Sequence, residues 1–64
     1  MAKKEDLTPR EMQFIEVLRS QCEDLINAAK NMTHNSSNIE VVEISSSAIR
    51  SLGYLLNELN NIIN

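Results

Sequence analysis

The sequence predicts an all-α protein, an antiparallel hairpin of two long helices. Three observations predict it. A complete helix start is written at Thr8-Pro9-Arg10-Glu11, apolar residues then recur at steps of three and four, and a polar cluster at 33–38 separates two such stretches of similar length. The reading is one domain, 1–64, with helices over about 9–32 and 38–63 behind a polar N-terminal tail at 1–7.

The first helix begins with a capping box. The Thr8 hydroxyl is placed to accept from the Glu11 amide, and the Glu11 carboxylate to reach back to the Thr8 amide. Pro9 falls at the first helical position, where a missing N–H costs nothing. Leu7 and Met12 stand at the two positions of a hydrophobic staple. Beyond the start, Ile15, Leu18, Cys22, Leu25, Ala29 and Met32 form a seam at helical spacing, widened to one side by Met12, Phe14 and Ile26.

Thr33-His34-Asn35-Ser36-Ser37-Asn38 holds only turn-forming and polar residues, so the helix is expected to break there. Ser37-Asn38-Ile39-Glu40 repeats the capping-box pattern and opens the second helix. The β-branched run Ile39-Glu40-Val41-Val42-Glu43-Ile44 has a strand composition but no second strand to pair with, so it belongs to the helix. A seven-residue rhythm follows. Val41, Ala48, Leu55 and Ile62 share one position, and Ser45, Leu52 and Leu59 complete the seam.

Val42, Ile49, Leu56 and Ile63 form a further row on the second helix. A lone hairpin covers one seam on each helix. Each large apolar side chain removed from water is worth about 1.5–3 kcal/mol, and a core in a chain this short supplies only about 3–5 kcal/mol. The expected interface is therefore Val42, Ile49, Leu56 and Ile63 with Met12, Phe14 and Ile26. A homo-oligomer answers that need, most simply as a dimeric four-helix bundle; a larger ring or a protein partner answers it too.

Composition excludes several classes. Nine acidic residues against six basic, a net charge of −3 and a pI near 4.9 argue against a duplex nucleic-acid partner, which requires clustered Lys and Arg. No apolar run approaches the 18 or so residues of a membrane span. The start, Met1-Ala2-Lys3-Lys4-Glu5-Asp6, turns acidic without the apolar stretch of a signal peptide, and a cytoplasmic location is expected. A single cysteine forms no internal disulfide and suits a reducing compartment.

Little in the chain suggests chemistry. His34 is the only histidine and sits in the polar turn without a second ligand, so no metal is expected. Cys22 falls on the seam, where a free cysteine packs as a small hydrophobe. No carboxylate stands beside a base, and Gly53 is the only glycine, which leaves no phosphate-cradling loop. Neither a catalytic residue nor a cofactor is expected; the chain reads as a non-enzymatic binding module, an adaptor or an inhibitor.

One polar stripe stands apart. Ser46, Arg50, Gly53 and Asn57 lie at i, i+4, i+7 and i+11, flanked by Ser47 and Tyr54. Gly53 within a helix costs about 1 kcal/mol relative to alanine. Small side chains admit a close neighbour, and the Arg50 guanidinium matches a phosphate or carboxylate. These six residues are the candidate ligand site, for a small anionic nucleotide; a solvated outer face is the plainer alternative.

Two resemblances bear on this. Leu7-Thr8-Pro9-Arg10-Glu11 resembles the opening of LuxR-type helix-turn-helix domains, but two long helices replace four short ones and no basic recognition helix follows. Ser47, Tyr54 and Leu59 resemble the second-helix layout of phage anti-CBASS sponge proteins, oligomeric helical hairpins that sequester cyclic nucleotides. That likeness covers about 20 residues. Ile49-Arg50 stands where that family has an acidic pair, and Tyr54 where it has a tryptophan. The resemblance implies an anti-defence sponge with Ser47, Arg50 and Tyr54 near the ligand.

Overall fold

The computed structural model describes residues 6–63 and shows two helices packed against each other: α1, Pro9–Asn35, and α2, Ile39–Ile63. Of the expected polar tail, residues 1–5 lie outside the described residues, and Leu7 at its end is half-buried. At 1.5 Å per residue, helices of 27 and 25 residues measure about 40 and 38 Å, in keeping with a longest dimension of 46 Å.

The start of α1 follows from its sequence. Thr8 has extended backbone angles, its hydroxyl accepts from the Glu11 amide at 3.1 Å, and the Glu11 Oε1 accepts from the Thr8 amide at 2.9 Å. The reciprocal pair satisfies two amides that the helix itself leaves without partners.

The end of α1 differs from the expectation of a break after residue 32. The helix runs one turn further because that turn satisfies its own polar groups. The Thr33 hydroxyl donates to the Ala29 carbonyl at 2.9 Å, and the Asn35 side-chain amide donates to the Asn31 side chain. Ser36 closes the helix, its amide donating to the Met32 carbonyl at 2.9 Å. The connection shrinks to Ser36, Ser37 and Asn38. His34 consequently lies in the last turn of α1, where a basic side chain complements the helix dipole.

The cap of α2 also differs by one residue from the Ser37 reading. Asn38 is the cap: its Oδ1 accepts from the Val41 amide at 3.2 Å, and its carbonyl accepts from the Val42 amide at 3.0 Å. Its own amide donates to the Ser36 hydroxyl at 3.1 Å, which ties the turn together.

The core is slender. Cys22, Leu59 and Ile63 are its buried apolar residues, with Ser45 buried beside them. The small side chains Cys22, Ala29, Ser45 and Ala48 at or beside the seam contribute little apolar area. The described chain therefore leaves much apolar surface in water.

Candidate interaction surface

One long-range contact shows how the two helices face each other. The Arg19 guanidinium of α1 donates to the Asn60 side-chain oxygen of α2 at 3.5 Å. On α1, Arg19 belongs to the row Met12, Arg19, Ile26 and Thr33, at seven-residue spacing. On α2, Asn60 belongs to the row Ser46, Gly53 and Asn60 at the same spacing. Residues seven apart nearly superpose on a helix, so each row marks one flank of its helix, and the Arg19–Asn60 contact puts both flanks on the same side of the hairpin.

The opposite side follows by the same geometry. Across the α1 seam from Arg19 stand Leu18, Leu25 and Met32, with Phe14 eleven residues before Leu25. Across the α2 seam from Asn60 stand Val41, Ala48, Leu55 and Ile62, with Ile44 eleven residues before Leu55. Phe14 is 64% exposed, Leu25 55%, Met32 54%, Ile44 70% and Leu55 39%. One side of the hairpin therefore carries a continuous apolar face built from both helices. Its partly buried members Leu18, Val41, Ala48 and Ile62 lead from that face down into the seam.

This corrects the assignment of faces. Leu25 and Met32 on α1 and Leu55 on α2, expected in the seam, are turned outward. The row Val42, Ile49, Leu56 and Ile63, expected to be left over after packing, turns toward α1: Ile63 is buried and the other three are half-buried. The two small buried side chains, Cys22 on α1 and Ser45 on α2, mark the line along which the helices meet, and that line leaves Arg19 at its edge. Centring the α1 seam on Cys22, Ile15 and Ile26 lets the Arg19 stem lie along the edge while its head reaches Asn60. Centring it on Leu18 and Leu25 instead would turn that row into the seam and put Phe14 and Met32 at its edge. Met12 and Ile26, half-buried, lie on the Arg19 side, so the structure does not bring them together with Phe14.

The polar stripe sits on the outside of α2. Ser46 is half-buried, while Ser47, Arg50, Gly53, Tyr54 and Asn57 are exposed, Tyr54 at 67%. A side chain added at Gly53 would meet no atom within 4 Å. Cys22 is buried and free, as expected of a packing residue. Among the described residues no group of three or more His, Cys, Asp or Glu is placed to hold a metal ion, and no helix is long and apolar enough to cross a membrane.

Leu25, Met32, Ile44 and Leu55 are the surface residues that the sequence reading missed as such. The signal lay in two polar residues, Arg19 and Asn60, each placed in a row that otherwise borders the seam. Comparison with family models, with curated proteins and with solved structures gives no match for this chain.

Proposed function

We propose that this chain is a non-enzymatic binding module that acts through the apolar face of Phe14, Leu25, Met32, Ile44 and Leu55, as an adaptor or an inhibitor of what it binds. The observation that supports this reading is the contrast between three buried apolar residues and five large ones that stay 39–70% exposed on one side. Exposed apolar residues scattered singly are ordinary, whereas a contiguous patch marks an interaction site. The middle of the face carries only Gln21 and Ser51 as polar residues, while Glu11 in the Leu18-Leu25-Met32 row and Glu40 and Glu58 beside the Ile44-Ser51 row stand toward its ends, so its middle suits an apolar partner surface.

Site-specific photo-crosslinking in cells tests the reading. A crosslinker at Phe14 or Ile44 is expected to give defined adducts, while one at Ser47 or Asn57 gives none. Adducts confined to Ser47 and Asn57 would overturn it and favour the Arg50 stripe, with a small anionic nucleotide as the ligand to test there.

A further inference from the structure

We infer that the occupant of the apolar face is a second copy of this chain, related by a two-fold axis, so that two hairpins close into a four-helix bundle. The inference rests on the proposed function and names the partner for the same face.

Size supports it first. The exposed face runs from Phe14 to Met32 on α1 and from Ile44 to Leu55 on α2, about 27 and 16 Å of helix, so its occupant must offer apolar side chains along two adjacent helical lines, as a second copy does.

Shape supports it next. Phe14, Met32, Ile44 and Leu55 stand up to about a quarter turn from the seam, on the crests of the two helices and not in the groove between them. A single helix laid in that groove would leave the crests wet. A second surface with two ridges of equal length covers them, and α1 and α2 differ by only two residues in length (27 against 25). The complement of this face is a face of its own kind, with every neighbouring helix pair antiparallel.

Sedimentation equilibrium of the purified full chain tests the inference, from about 5 to 500 µM, the range over which self-association of this kind shows. The expected result is a species of about 14.6 kDa, twice 7.3 kDa, that Tyr54→Asp preserves. Leu25→Asp and Ile44→Asp are each expected to raise the dissociation constant at least 100-fold. Because an aspartate at either position can unfold the chain as well as separate it, the unsubstituted chain's own dilution series decides the matter without variants. A monomer at every concentration that binds a hydrophobic dye overturns the second copy and leaves the face as a docking surface for something else. A monomer that melts cooperatively, binds no dye and is indifferent to Leu25→Asp overturns both the second copy and the proposed function. A trimer or larger species overturns the two-fold closure.

Discussion

Arg19 and Asn60, 41 residues apart in sequence, meet through a 3.5 Å hydrogen bond at the edge of the seam between α1 and α2. The contact is long and neither side chain is fully buried, so its weight in stability is small. Its consequence is geometric. It identifies the polar side of the hairpin, and by doing so assigns Leu25, Met32, Ile44 and Leu55 to the other side. A double-mutant cycle with Arg19→Leu and Asn60→Ala, followed by urea unfolding, is expected to return a coupling below about 1 kcal/mol. A much larger coupling would mean that the pair holds the helices together and does not merely border the seam.

The capping box carries a measurable share of the stability. Thr8→Ala removes the acceptor for the Glu11 amide and is expected to cost about 1 kcal/mol in urea unfolding. Glu11→Ala removes the reciprocal bond to the Thr8 amide. Because the two bonds belong to one motif, the double variant should lose less than the sum of the single losses.

Gly53 contributes nothing to packing within the hairpin, since no atom lies within 4 Å of a side chain placed there. Gly53→Ala is therefore expected to stabilise the fold by about 1 kcal/mol, or about 4–8 °C in thermal midpoint for a domain of this size. Loss of stability in the same measurement would show that a neighbouring molecule packs against the bare backbone.

Leu59 has the opposite character. It is 5% exposed in a core with few other large residues. Leu59→Ala is expected to cost about 2–5 kcal/mol, as much as a core of this size supplies, and to abolish most of the helical signal in circular dichroism. Tyr54→Ala, on the exposed side of α2, should change stability by less than about 0.5 kcal/mol.

The architecture was legible in the sequence where local chemistry decides it. Thr8, Pro9 and Glu11 specify the start of α1 through side chains that bond within one turn, and the two helices follow from apolar spacing. The end of α1 was less legible because Thr33 and Asn35 are turn formers by composition, yet here each bonds back to the preceding turn. The choice of buried face was the least legible. On α1, Leu18-Leu25-Met32 and Met12-Arg19-Ile26 are rival rows on either side of Cys22, and apolar character alone favours the first. Which row faces inward depends on how the whole of α2 packs against α1, a long-range relationship that periodicity does not contain. The candidate surface moved with that choice, from Val42, Ile49, Leu56 and Ile63 to the side that bears Leu25 and Leu55.

In the proposed two-fold bundle a second copy of the chain covers this apolar face. The most direct check is the thermal midpoint of the unsubstituted chain measured over a hundredfold range of its own concentration. Folding coupled to association makes the midpoint rise with concentration, and a rise of several degrees is expected. A midpoint that stays constant across the range, with an equally cooperative transition, would contradict it.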